Sequence, residues 1–409
     1  MLRPLRLAFA IAILTLLSPP PSQAAPSKAA APSRGAVLAK EWILVDAHVD
    51  LPYRLHDHAE DVTKRTPGGD FDVPRARAGG LDAPFMSIYL PAALQAENGA
   101  SRRLADELID LVEGLAKASP KSFEMAHSVA DVRRIAASGR IALPLGMENG
   151  SGVENDLGLL AHFHRRGIRY ITLTHSKVNN LSDSSYDPER RWHGLSPFGR
   201  AAVAEMNRLG IMVDISHVTD ETLDDVMELS RAPVIASHSS CRHFTPGFER
   251  NLDDDRIRRL GRQGGVLMIN FGSGFLRADV RQQGDELGAR QTEWKKSLDH
   301  EPTEAEEKAF RAQALGGKPP LRATLADVVA HIRHAVDLAG IDHVGLGSDF
   351  DGVGDSLPEG LRDVSMYPNL IDALLASGLS ENDVKKIAGE NLLRVWSEVE
   401  AVAAASMGD

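Results

Sequence analysis

Ile211-Met-Val-Asp-Ile-Ser-His217, the segment Thr219–Glu228, and Pro233-Val-Ile-Ala-Ser-His238 together contain a complete strand–helix–strand unit. Two short apolar runs, each ending in histidine, flank a stretch with helical spacing. Ile211–Ile215 is apolar almost throughout, which suits a strand covered on both faces. Two such strands joined through a helix imply a parallel crossover.

The same rhythm extends in both directions. Upstream runs occur at Trp42–His48, Ala83–Leu90, Ile141–Glu148 and Ile168–His175, and downstream runs at Gly265–Phe271 and His343–Asp349, making eight in all. Helical patterns lie between them at Ser101–Lys117, Leu157–Arg166, Pro197–Leu209, Asp253–Gly261 and Leu325–Ala339. Pro197–Leu209 carries its own punctuation, with Ser196 as N-cap, Pro197 at the first helical position and Gly210 past the end. Eight alternating units predict an α/β fold, a (β/α)8 barrel of the TIM type, closed by a helix over Glu381–Val395. Gly272 to about Arg322 interrupts the rhythm as a polar insertion after the seventh strand. It is too long for an ordinary loop, and reads either as a solvated excursion or as a lid over the site.

The ends of the chain read differently. Residues 1–24 have a basic start at Arg3 and Arg6, an apolar run Leu7–Leu17, and small residues at Ser22 and Ala24, the pattern of a cleavable secretory signal. Its run of about 11 residues is short of the roughly 20 that span a membrane. Periplasmic or secreted location without stable membrane insertion is expected, an uncleaved tether being the alternative. Residues 25–40 are rich in Ala, Pro and Ser and read as a disordered lead-in, residues 41–400 as the barrel domain, and 401–409 as a C-terminal tail. Cys241 is the only cysteine, so no intramolecular disulfide forms, and it reads as a small buried residue. The formal charge of −11 argues against broad nucleic-acid contact, which needs clustered basic residues.

The chemistry lies where the runs end. His48, Glu148, His175, His217, His238 and Asp349 close six of the eight, and strand C-termini are where barrel enzymes place their sites. His48 and Asp50 are two residues apart, a spacing that lets both point the same way from a strand. Imidazole and carboxylate donors suit Zn²⁺, and Glu148 is able to bridge two ions. His56, His58, His162, His164, His193, His243, His331 and His334 read as surface or helix-face residues.

Seven segments then resemble the renal, or membrane, dipeptidase family. They are Asp46-Ala-His-Val-Asp-Leu-Pro52, Gly146-Met-Glu-Asn149, Leu173-Thr-His175, Asp214-Ile-Ser-His217, Pro233-Val-Ile-Ala-Ser-His-Ser239, Arg250-Asn251 and His343-Val-Gly-Leu-Gly-Ser-Asp-Phe-Asp-Gly352. The similarity runs from about Val45 to Trp396. It implies a dipeptidase with two Zn²⁺ per chain, one held by His48 and Asp50, the other by His217 and His238, with Glu148 bridging. It further implies that Asp349 handles the proton of the bridging water, that His175 contacts the scissile carbonyl oxygen, and that Arg250 holds the free carboxylate of a dipeptide substrate. Acceptance of a C-terminal D-residue and a homodimeric assembly are compatible with the family. The sequence departs from it near Asn270-Phe271, where an aromatic hydroxyl is expected and Gly272 and Phe275 stand. Two alternatives stay open: Arg250 as an ion-pair partner of Asp253 or Asp254, and a related barrel hydrolase acting on N-acyl amino acids or other small amides.

Overall fold

The eight apolar runs fold as eight parallel strands in the computed structural model, which describes residues 31–406. They are β1 (Leu44–Val49), β2 (Leu81–Tyr89), β3 (Leu145–Glu148), β4 (Ile168–Thr172), β5 (Met212–Asp214), β6 (Ile235–Ser239), β7 (Val266–Ile269) and β8 (Val344–Leu346). Each pairs with the next in chain order, β1 through β8. All eight strands are buried along nearly their whole length, as their unbroken apolar character requires. The register sets Tyr89, Glu148, Thr172 and Asp214 side by side across β2 to β5, so one level of the barrel carries polar groups from four strands.

The seam between β1 and β8 is made largely by side chains. Asp46 accepts from Ser348 N at 2.9 Å and His48 N at 3.1 Å, and also from the hydroxyls of Ser348 and Tyr367. Main-chain bonds from Asp349 N to His48 O (3.1 Å) and Asp50 N to Phe350 O (2.8 Å) complete it. The seam therefore holds the backbone of three candidate site residues.

Helix Pro197–Leu209 forms as punctuated: Ser196 Oγ accepts from Gly199 N at 2.8 Å, and Gly210 ends it at φ 80°. Other expectations shift. The run Ile141–Glu148 divides at Pro144, because Ile141–Leu143 pairs outside the barrel with Phe123–Met125. The runs ending at His175, His217 and Asp349 likewise overshoot, so these residues stand in loops three residues beyond β4, β5 and β8. Part of the expected lead-in, residues 25–40, is ordered as helix Arg34–Glu41. Leu38 and Ala39 of this helix are buried, and Gly35 N donates to Asp372 Oδ1 at 2.6 Å. A helix this short shows little apolar period, so its tertiary docking had no sequence signal.

Helix Glu381–Val395 is instead two helices, Glu381–Lys385 and Asn391–Ser406, joined through a wider turn at Lys386–Glu390. At that turn a Cβ on Gly389 would come 2.6 Å from the Ile43 carbonyl oxygen, a close approach only glycine permits. The second helix overruns the expected 401–409 tail as far as Ser406, with Ala403 packed in line with Trp396 and Val399. The expected signal, residues 1–24, the first part of the expected lead-in, residues 25–30, and residues 407–409 lie outside the described residues. Among the described residues no helix is long and apolar enough to cross a membrane.

The polar insertion folds as helices Ala278–Lys296 and Glu304–Ala314, joined by stacking of Trp294 on Phe310 at 4.6 Å. Only Val280 of the longer helix is buried. Its first turns line the mouth of the cavity described next, so the insertion is a wall and not a detached excursion.

Candidate metal centre

Glu148, the last residue of β3, organises the centre by dividing its two oxygens. Oε1 lies 3.0 Å from His217 Nε2 and 3.2 Å from His238 Nε2, which are themselves 2.9 Å apart. Oε2 faces His48 Nε2 at 3.4 Å, and that nitrogen is 3.4 Å from Asp50 Oδ2. One carboxylate thus meets two donor sets, each of the size that surrounds a metal ion. Overlapping groups are also formed by His48, Glu148 and His238, by Glu148, His175 and His217, and by His48, Asp50 and Asp349.

Residues behind the ligands decide which nitrogens are bare. Tyr170 Oη donates to Ala47 O at 3.0 Å, so its oxygen accepts the Nδ1–H of His48 at 2.8 Å, leaving His48 Nε2 to face the carboxylates of Asp50 and Glu148. The tyrosine crosses the barrel because residue 146 is glycine; a Cβ there would come 2.0 Å from Cζ of the ring. On the other side Ser237 Oγ donates to Asp214 Oδ2 at 2.6 Å and accepts from His238 Nδ1 at 2.7 Å. His238 Nε2 is therefore free for a ligand role as well. Burial holds both His238 and His217 well below the ordinary imidazole pKa, so they stay neutral, as coordination requires.

The buried atoms His48 Nε2, Asp50 Oδ1, His175 Nδ1 and His217 Nδ1 have no hydrogen-bond partner. Asp50, Glu148 and Asp349 bring three carboxyl groups together where water is scarce. Burial alone would push Glu148 up, yet the charges of His48 and His175 and the hydrogen bonds of His217 and His238 take it well below the usual carboxylate value. Burial, with the charge of Asp50, drives Asp349 the other way, up to about 8. A cation is what such a carboxylate cluster lacks. The donor set fits a metal ion on both counts, orphaned ligand atoms and excess buried negative charge.

The loops beyond the strands are held in sparsely populated backbone. His217 and Asp349 sit at φ 70° and 63° although neither is glycine. Asn270 donates from Nδ2 to Asp349 Oδ2 at 2.8 Å and so orients the carboxyl group. His175 is the most open imidazole of the centre, its side chain 21% exposed against 0–6% for His48, His217 and His238. It lines a cavity of about 1070 Å³ together with Asp50, Glu148, Asp349, Tyr89 and Tyr186.

Arg250 is almost wholly buried. Nη1 donates to Ser239 Oγ at 2.6 Å, Nη2 to the His238 carbonyl at 2.9 Å, and Nε has no partner. Its guanidinium carbon lies 5.3 Å from the ring of Phe275, which lines the cavity. The alternative of an ion pair with Asp253 or Asp254 does not hold: Asp253 binds Arg256 at 2.5 Å and Asp254 binds His334 at 2.8 Å. Among the described residues Arg250 pairs with no carboxylate, which marks it as a site for an anion.

All eight residues singled out by sequence thus converge on this end of the barrel. Missed were Tyr170, Ser237, Asp214 and Asn270, which act through the ligands, and Tyr186 at the cavity. Asp214 had a signal, standing three residues before His217 inside a buried strand; Tyr170 looked like any core aromatic. Tyr170→Phe leaves the Nδ1–H of His48 without an acceptor. Metal affinity, measured by chelator competition, is expected to fall about 10–100-fold with the fold unchanged in circular dichroism. Wild-type affinity in this variant would remove Tyr170 from the centre.

Comparison with known proteins points one way. A family model described as membrane dipeptidase (peptidase family M19) matches residues 33–408. Dipeptidase tcpJ of Claviceps purpurea is 37% identical over 346 residues, covering 83% of this chain and 72% of its own length. Among solved structures, the probable dipeptidase PvdM of Pseudomonas aeruginosa superposes with a TM-score of 0.77 at 27% identity, over 90% of this chain and 98% of its own. A metallopeptidase of Rhodobacter sphaeroides, solved with a phosphinate mimic of L-Ala-D-Ala, gives 0.71 at 27% identity, over 88% and 99%.

Proposed function

The chain belongs to the membrane dipeptidase family, peptidase family M19, and from that premise we propose that it cleaves free dipeptides using two zinc ions bridged by Glu148. The observation that carries this reading is the division of Glu148 between two donor sets. His48 and Asp50 would hold one ion, and His217 and His238 the other. Neutral imidazole with carboxylate oxygen is a donor combination that suits zinc. When bound, such a pair of ions polarises the scissile carbonyl and lowers the pKa of water.

The chain's own residues do the rest. Asp349 takes the proton of the attacking water and returns it to the nitrogen that leaves as an amine. Asn270 keeps one Asp349 oxygen engaged, so the other faces the reaction. His175, open to the cavity, meets the carbonyl oxygen as negative charge gathers there. Arg250 offers its unpaired charge to the substrate's terminal carboxylate. In a dipeptide that carboxylate lies one residue past the scissile bond; a longer peptide would present a neutral amide there. Substrates with a C-terminal D-residue are included, in line with the L-Ala-D-Ala mimic bound by the Rhodobacter sphaeroides relative. Export to the periplasm or medium, directed by residues 1–24, is part of the same proposal.

Metal analysis combined with kcat/KM on L,L-dipeptides, L,D-dipeptides and N-acyl amino acids tests the reading. Two zinc ions per chain with preference for dipeptides is expected; preference for N-acyl amino acids would overturn it. The carboxylate role has its own test. Arg250→Ala is expected to lower kcat/KM on free dipeptides about 10²-fold, within the roughly 2–5 kcal/mol typical of truncating a buried charge pair. C-terminally amidated dipeptides should be affected far less. Equal losses on both substrates would count against the clamp.

A further inference from the structure

We propose that His243, Asp254 and His334 form a separate site for a divalent transition-metal ion of the zinc type, among the helices flanking β6 to β8. The three residues come from three elements. His243 lies in the turn Arg242–Phe244 that follows β6, Asp254 opens the helix Asp254–Arg262, and His334 projects from the helix Leu325–Ala339. One donor atom of each lies within 4.8 Å of the other two. His334 Nε2 is 2.8 Å from Asp254 Oδ1, and the His243 ring lies over that of His334 with centroids 4.4 Å apart and planes at 28°.

That arrangement repeats the imidazole pairs of the barrel centre, where His48 and His238 stand 3.8 Å apart at 30° and His175 and His217 4.3 Å apart at 37°. A simple ion pair of His334 with Asp254 has no need of a second imidazole against it. Two imidazoles and one carboxylate are a borderline-to-hard donor set matched to Zn²⁺ or Co²⁺, with remaining positions left to water. His243 is exposed, while Asp254 and His334 are partly buried, so an ion can enter from solvent and leave again.

Neighbouring groups are already engaged and do not compete. His331 accepts from Cys241 N at 3.1 Å through Nδ1 and donates to Leu276 O at 3.0 Å through Nε2. Cys241 is buried with its thiol donating to the His331 carbonyl at 3.5 Å, and burial pushes its pKa upward. An ion at the new site would tie the turn after β6 to the helix Leu325–Ala339. That turn leads from His238 towards Arg250, so the ion would brace the segment carrying both without touching the reaction. Because it would bind only the folded chain, it would also raise thermal stability.

The test uses full-length enzyme with its catalytic metal in place, dialysed to equilibrium against Zn²⁺ alone, with metal per chain measured by mass spectrometry. Wild type is expected to hold one equivalent more than His243→Ala and His334→Gln, while all three turn over a dipeptide at the same rate. Zn²⁺ titration should raise Tm in wild type and leave it unmoved in both variants. His243 is exposed, so its replacement leaves the fold intact and the comparison clean. Equal metal content in wild type and variants, or an extra equivalent that survives His243→Ala, would overturn the proposal and reduce the cluster to aromatic packing beside an ion pair.

Discussion

Asp349→Asn is expected to keep the metal content of wild type and to lose about 10²–10⁴-fold in kcat on a dipeptide, the usual contribution of a positioned proton carrier. The substitution is nearly isosteric, and its amide oxygen can still accept from Asn270 Nδ2, now at 2.8 Å from the carboxylate. The seam bond from residue 349 N to His48 O is made by main chain and is untouched. His48, Asp50, Glu148, His217 and His238 remain as ligands. What disappears is the group that can hold a proton between the water and the departing nitrogen. Steady-state kinetics with metal analysis on the same sample separates the two effects. A kcat within a few-fold of wild type would remove Asp349 from the chemistry; loss of metal would make it a ligand.

Glu148→Gln is expected to do the opposite and strip metal. Its two oxygens serve different donor sets, His217 and His238 on one side and His48 with Asp50 on the other. A glutamine presents one oxygen and one N–H₂, so one set would face a donor where it needs an acceptor, and the charge that offsets two cations would be gone. Metal affinity should fall by more than the about 10–100-fold that follows loss of a ligand's hydrogen-bond partner. Activity at limiting metal should fall with it, and excess zinc should restore it only in part. The metal-to-protein ratio after dialysis measures the effect. A full complement of metal in this variant would end the bridging role.

The strands and most ligands were legible because their signals are local. Apolar runs with intervening helical spacing give the number and order of the strands, and Ser196-Pro197 with Gly210 marks a helix to the residue. Strand ends were overestimated for a physical reason: the polarity that places His175, His217 and Asp349 at the site also favours loops, those at His217 and Asp349 being held at unusual backbone angles. The division at Pro144 and the docking of Arg34–Glu41 depend on partners far away in the chain, as does the break at Gly389.

By itself the sequence determined that this chain is a barrel of eight strands with histidines and carboxylates at one end, because period and spacing are properties of consecutive residues. Only the tertiary structure decided how those groups act. Tyr170, 122 positions from His48, and Asp214, acting through Ser237, select the bare nitrogens. The diversion of Asp253 and Asp254 to other partners leaves Arg250 charged and alone. The helix Ala278–Lys296, polar over most of its length, becomes a wall of the cavity only because the barrel mouth lies beside it. Each of these depends on which distant atoms come within about 3 Å of one another, the range over which hydrogen bonds and ion pairs act.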